Sequence, residues 1–305
     1  MSAVDTWDDL PEDVRRHYPW RGEFLTLPNG HKLHYLDEGQ GPPLLMVHGN
    51  PTWSFYWRRL VAGLSDRYRC VVPDHLGAGL SDKPADWTYR LQDHIDNLVA
   101  LIDHLDLRDV TLVVHDWGGP IGFGAAVARP ERIARLVVFN TSVFLEHVPL
   151  SIRMGRWPVA GELLVQGLNG FLRVAKFRAI GDRDKLGDGV WRGYAAPYRR
   201  WSDRIGHLKF IRDIPVEAGH PTRAVIERLT EEVPAKLGDR PALLVWGERD
   251  FVFTPKFLER WQALLPHAEV ERYPDISHWV VEEAHERILP RVTRFLEEHP
   301  LPEKG

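Results

Sequence analysis

The sequence predicts an α/β fold: a mostly parallel sheet flanked by helices, with a helical insertion between two parts of the sheet. Two observations carry this. Short β-branched, apolar runs alternate with longer stretches of helical periodicity. One region, from about Val143 to Ile214, is rich in aromatic and charged residues but contains no strand-like run.

The expected strands are Pro43–Val47, Cys70–Pro73, Thr111–His115, Leu136–Phe139, Ala242–Trp246 and Val270–Tyr273. Several are near-continuous apolar runs, the pattern of strands covered on both faces. Between them, Ile95, Leu98, Val99, Ile102 and Leu105 recur at helical spacing. Pro130 closes a helix that opens near Gly118. The strandless region carries Phe144, Trp157, Phe171, Phe177, Trp191, Tyr194, Tyr198, Trp201 and Phe210. Inserted after a strand's carboxyl end, it lies over the edge where open α/β sheets bind ligands. The plainer alternative is a set of ordinary flanking helices. The expected division is a core in two parts, 1–142 and 215–305, with a helical cap at 143–214.

The 305 residues suffice for one large domain with an insert. A net charge of -4, with both signs interleaved, gives no electrostatic reason to expect a nucleic-acid partner. The single cysteine, Cys70, excludes an internal disulfide, fits a reducing compartment, and sits in an apolar run as a packing residue. The N-terminus is acidic and lacks a basic segment followed by an apolar one, so no signal peptide is visible. No apolar stretch approaches the ~20 residues of a membrane span. These features lead us to expect a cytoplasmic protein.

Chemistry concentrates in Thr111-Leu112-Val113-Val114-His115-Asp116-Trp117-Gly118-Gly119-Pro120-Ile121-Gly122, where a strand runs straight into a Gly-rich helix start. This is the build of the nucleophile elbow of the α/β-hydrolase fold, with Asp116 in the nucleophile slot. Val114 stands where a glycine is usual, a departure from that pattern. A helix beginning near Trp117 stabilises negative charge at Asp116. The competing reading is an aspartate capping a helix in a plain βα unit.

The remaining parts follow in order. Asp250 lies in the turn Gly247-Glu248-Arg249-Asp250 after one expected strand, and His278 follows another. Nucleophile, acid, histidine is the chain order of this fold. Upstream, Val47-His48-Gly49-Asn50-Pro51-Thr52 leads from a strand into a loop, which is either a plain tight turn or a source of backbone donors. In the second case the N–H groups of Asn50 and Trp117 form an oxyanion hole. A carboxylate is ionised at neutral pH and attacks an sp³ carbon to give an ester, which activated water then cleaves. His278 is the expected base, oriented by Asp250. The indole N–H of Trp117 and the side-chain amide of Asn50 are donors for the leaving anion. No cofactor or metal is expected: there is no His-Glu-x-x-His sequence, and Gly77-Ala78-Gly79 lacks the third glycine of a dinucleotide fingerprint. His31 and His34 are read as structural.

Together with Pro73-Asp74-His75-Leu76-Gly77-Ala78-Gly79-Leu80-Ser81-Asp82-Lys83-Pro84 and Ser277-His278, these motifs resemble the haloalkane dehalogenase family over about Gly30 to Leu296. The resemblance implies a hydrolase core with a helical cap, Asp116 as nucleophile, His278 as base, Asp250 as acid, and Asn50 with Trp117 as the halide-stabilising pair. An apolar small molecule is the implied substrate and a halide ion the implied ligand. Some members place a glutamate acid after the sixth strand; here no acid follows until Glu146, so the pattern resembles the branches that use an aspartate after the seventh. The run Ala195-Ala196-Pro197-Tyr198-Arg199-Arg200-Trp201 and the segment to Pro215 resemble the third subfamily, which includes β-lactone decarboxylases of bacterial olefin synthesis. There the leaving group is a ring carboxylate, and loss of carbon dioxide gives an alkene.

Dehalogenation stands first in this reading and β-lactone decarboxylation second. An epoxide hydrolase, with Tyr194 and Tyr198 as cap acids, is third. A non-enzymatic receptor on the same fold is the contrasting class. Arg192, Arg199, Arg200 and Arg204 are either a solvated face of the cap or a docking site for a partner enzyme.

Overall fold

The computed structural model of the protein describes residues 4–146 and 153–301; six positions of the expected cap, 147–152, lie outside the described residues. Eight strands form one sheet: β1 Glu23–Thr26, β2 Lys32–Glu38, β3 Pro43–Val47, β4 Arg69–Pro73, β5 Val110–Asp116, β6 Ile133–Thr141, β7 Ala242–Gly247 and β8 Glu269–Tyr273. Their order is β1-β2-β4-β3-β5-β6-β7-β8. β1 and β2 are antiparallel, β2 is antiparallel to β4, and β3 through β8 run parallel. The six expected strands are all present. The antiparallel pair was not expected: His31, Lys32, His34, Asp37 and Glu38 break up the apolar runs that mark a covered strand.

Strand alternation divides the core between the two faces of the sheet. Met46, Val113, Val137, Phe139, Leu243 and Val245 enter one apolar cluster, while Leu45, Val47, Leu112, Val114, Leu136, Val138 and Leu244 enter the other. Each such fully buried side chain contributes about 1.5–3 kcal/mol over exposure. This explains why several of the parallel strands read as near-continuous apolar runs. Cys70 is fully buried in β4, where burial pushes its thiol up to about 12.

The helix Gly118–Ala128 packs into the second cluster with every residue but Ala128 buried. Its composition accounts for the departure at Val114. A Cβ at Gly122 would lie 2.7 Å from the Val114 side chain. The space usually given by a glycine before the nucleophile is supplied here from the helix that faces it.

Between Thr141 and Ala242 no strand occurs among the described residues. Helices span Gly170–Arg178, Val190–Ala195, Ile205–Arg212 and Pro221–Leu237. A buried ion pair, Arg58 with Glu282 through two bonds of 2.7 Å, holds one of them down: Tyr194 donates to Glu282 at 2.6 Å.

Candidate active site

The chain leaves β3 towards β4 on one side and enters β5 on the other, so loops after β3 and β5 diverge at a topological switch point. Ligands of open α/β sheets bind in that crevice. Asn50 follows β3 and Asp116 ends β5.

Asp116 sits with φ of 52°, in the left-handed region that residues other than glycine seldom enter and that costs of order 1–3 kcal/mol. Its backbone carbonyl accepts from the Thr141 hydroxyl, which fixes the turn. The N–H of Asn50 donates to Asp116 Oδ1 at 2.7 Å, and the N–H of Trp117 bonds the same carboxylate. A Cβ at Gly49 would lie 2.2 Å from Oδ1, so only glycine lets the Asn50 loop approach. Oδ1 is thereby tethered. Oδ2 faces His278, whose Nε2 lies 3.6 Å away.

His278 is held from three sides. Its Nδ1 donates to Asp250 Oδ2 at 2.7 Å. Its carbonyl bonds His115 Nε2 at 2.8 Å. The adjacent Ser277 N–H donates to Glu283 Oε1 at 3.0 Å, while Glu283 Oε2 accepts from Gly181 at 2.9 Å and Asp182 at 3.1 Å. One buried carboxylate therefore ties the His278 loop to the segment that covers it. Asp250 is itself fixed, Oδ1 by Val252 N–H at 2.7 Å and Oδ2 by the Asn140 amide at 3.0 Å.

Burial pushes Asp116 above the usual carboxylate range, although His278 and the two N–H donors oppose it. For His278 burial works against the imidazolium, but Asp250 and Asp116 outweigh it, and the group titrates above its ordinary value. Other buried histidines go the opposite way. Burial holds His48, His75 and His115 down, and takes His94 and His207 to about 3.

Above Asp116 lies a cavity of about 640 Å³. Asn50, Asp116, Trp117 and His278 share it with a mainly apolar wall that includes Phe144, Val165, Phe171, Ile211, Phe253 and Trp279. Such a cavity is within the size range that buries an organic ligand. The Asn50 amide also makes a long 3.4 Å contact to the His207 carbonyl, and Phe210 packs on Trp117.

All five candidate residues therefore meet at one place. Other candidates do not. Glu146 reaches the cavity rim, but its carboxylate pairs with Arg260 at 2.6 Å. Tyr194 and Tyr198 are buried outside the cavity: one hydroxyl is committed to Glu282, the other accepts from Gly79 N–H at 3.0 Å. They are therefore not placed as acids over the site. Arg192 pairs with Asp13, Arg200 with Asp203, and Arg204 binds backbone carbonyls of the cap. His34 bonds Asp74 at 2.8 Å in the interior, a structural pair. Sequence reasoning missed Glu283, Asn140 and Thr141. They sit beside or beyond the motifs, and only Thr141, at the end of a strand neighbouring β5, had a positional cue.

This fold and site define an α/β-hydrolase enzyme. The profile of the alpha/beta hydrolase fold family matches residues 42–285, and the chain belongs to that family, in the group that holds haloalkane dehalogenases and alkyl-oxetanone decarboxylases. It is 42% identical over 287 residues to a cis-3-alkyl-4-alkyloxetan-2-one decarboxylase of Shewanella oneidensis, covering 92% of this chain and 89% of the relative. Haloalkane dehalogenase 2 of Mycobacterium tuberculosis is 35% identical over 90% of this chain and 94% of its own. The crystal structure of the haloalkane dehalogenase DatA of Agrobacterium tumefaciens superposes with a TM-score of 0.81 at 29% identity, over 92% of this chain and 97% of that one.

Proposed function

We propose that the protein decarboxylates cis-3,4-dialkyl β-lactones to alkenes, with Asp116 as nucleophile and residues 143–214 as a cap over the two core parts, 1–142 and 215–305. One observation carries the reading: a carboxylate with one oxygen tethered and the other free, at the base of a mainly apolar cavity of about 640 Å³. The likeness to the oxetanone decarboxylase, closer than that to the dehalogenase, favours this substrate over a haloalkane.

Asp116 Oδ2 attacks the ring carbon that bears oxygen and breaks that C–O bond. The ring carboxyl group is released as a carboxylate still attached to the neighbouring carbon. The Asn50 amide and Trp117 indole donate to it as charge develops. The carboxylate then leaves as carbon dioxide, and its electron pair forms the alkene and expels Asp116. Lactone becomes alkene plus carbon dioxide with no water consumed. Inversion at the attacked carbon followed by anti elimination yields the cis alkene. The imidazolium of His278, sustained by Asp250, faces the departing Asp116 carboxylate.

A second reading is hydrolysis of a haloalkane, favoured by the joint presence of the Asn50 and Trp117 donors and a His278–Asp250 pair able to activate water. Halide leaves in the first step, and water activated by His278 attacks the aspartyl ester carbonyl to free an alcohol. Supplying a cis-dialkyl β-lactone and assaying alkene and carbon dioxide tests the first reading; 1-bromobutane and bromide release test the second. Alkene from the wild type but not from Asp116→Ala is expected. Bromide release without alkene would replace the first reading by the second, and neither product, with no alkyl adduct on a His278→Phe variant, would overturn both.

A further inference from the structure

Of the ten large apolar side chains exposed among the described residues, nine lie between Met154 and Trp201. A globular protein scatters such residues singly; a gathered patch marks an interaction site. Three of the nine, Met154, Leu164 and Val174, also line the cavity, so the patch opens onto it. The backbone presents them deliberately. A π-helical turn, Leu163–Gly167, buries Val165 and Gln166 and leaves Leu163 and Leu164 outward. The helix Gly170–Arg178 buries Leu172 and Ala175 and exposes Arg173, Val174, Phe177 and Arg178.

The charge of this segment is opposite to that of the chain. Residues 153–178 carry Arg153, Arg156, Arg173, Lys176 and Arg178 against Glu162 alone, in a protein of net charge -4. Glu162 pairs with Arg212 and Arg156 with Glu217, whereas Arg153 and Arg173 have no ion pair among the described residues. An apolar face interleaved with unpaired cations is complementary to a bilayer with anionic headgroups. A second copy of this chain fits less well, because a two-fold contact would set Arg173 and Arg178 against their own images.

We propose that this face docks on an anionic lipid surface with the cavity mouth against the bilayer. The docking does not depend on the reaction. That a dialkyl substrate passes directly from the acyl region into the cavity rests on the function proposed above.

The test is flotation of the purified protein with phosphatidylcholine vesicles, with and without phosphatidylglycerol. Binding is expected to the anionic vesicles and to weaken with salt. Each cation near an anionic surface is worth about fivefold in partitioning, so Arg173→Glu, a change of two charge units, is expected to weaken binding roughly twenty-five-fold. The double variant Leu168→Ser/Phe177→Ser is expected to abolish it; neither residue lines the cavity. Both variants are expected to keep wild-type rates on a short substrate dissolved in buffer. Vesicle binding that ignores these substitutions, or none by the wild type, would overturn the proposal. So would a wild-type oligomer that the same substitutions dissociate without any vesicle binding, which would assign the face to self-association. A failed reaction assay with intact flotation would instead refute the function alone.

Discussion

Replacing Asp250 with asparagine tests the site most sharply, because the orientation that the new amide takes decides the tautomer of His278. Oδ1 accepts from the Val252 N–H and Oδ2 from His278 Nδ1 and the Asn140 amide. Asn140 cannot turn to accommodate a change, since its oxygen accepts from Gly247 N–H at 2.8 Å and its nitrogen donates to the Gly247 carbonyl at 2.9 Å. The NH₂ group introduced at position 250 has to sit beside either the Val252 N–H or the Asn140 NH₂. Placed beside Val252, it leaves the new amide oxygen the bonds from His278 Nδ1 and Asn140; placed beside Asn140, it lets that oxygen keep the Val252 bond and presents a donor to His278 Nδ1. His278 then carries its proton on Nε2, facing Asp116, and cannot act as a base there. A wrong-tautomer histidine costs about 10³–10⁴ in rate, ~4–5.5 kcal/mol. With a haloalkane, rapid-quench and intact-mass measurements are expected to show one enzyme equivalent of halide, then an ester on Asp116 that decays this much more slowly than in any turnover the wild type shows. If hydrolysis by Asp250→Asn stays within about tenfold of the wild type, the tautomer argument fails.

The pH profile separates the two chemistries. The raised pKa of His278 leaves it protonated below that value, so hydrolysis is expected to fall as pH drops through it, whereas decarboxylation persists there until Asp116 protonates and declines on the alkaline side. Asn50→Ala removes one of two side-chain donors and is expected to slow the first bond cleavage about 10²-fold, read as the burst rate of halide or the rate of alkene formation. Glu283→Gln removes a carboxylate that raises His278, so the histidine-controlled limb of the pH profile is expected to move to lower pH; hydrogen exchange at Gly181 and Asp182 reports the loosened bridge. A variant that exchanges faster there but leaves the pH profile in place would reduce Glu283 to packing. Arg58→Met strands the buried Glu282 carboxylate and is expected to cost about 3–5 kcal/mol in urea unfolding.

The parallel strands β3 to β7 were legible because they are covered on both faces, which leaves an apolar run in the chain; β8, at the edge, is only partly covered. The antiparallel β1 and β2 were not, since β1 is a mostly exposed edge strand and polar residues interrupt the apolar run of β2. Asp116, Asp250, His278, Asn50 and Trp117 were legible for a different reason: each follows a strand at the carboxyl edge of the sheet, so chain order foretold that they converge. The departure at Val114 was visible in the sequence, but its compensation by Gly122 required the helix to be packed on the strand.

What the sequence determined by itself was the kind of chemistry, because residue type and strand-end position fix which groups can meet. Which oxygen of Asp116 is tethered and which faces His278, the coupling of the His278 loop to its cover through Glu283, the withdrawal of Tyr194 and Tyr198 from the site, and the exposed apolar residues beside the cavity were decided only by the tertiary structure. These depend on distances between segments far apart in the chain, and no local pattern encodes which of two neighbouring polar groups a buried carboxylate will reach.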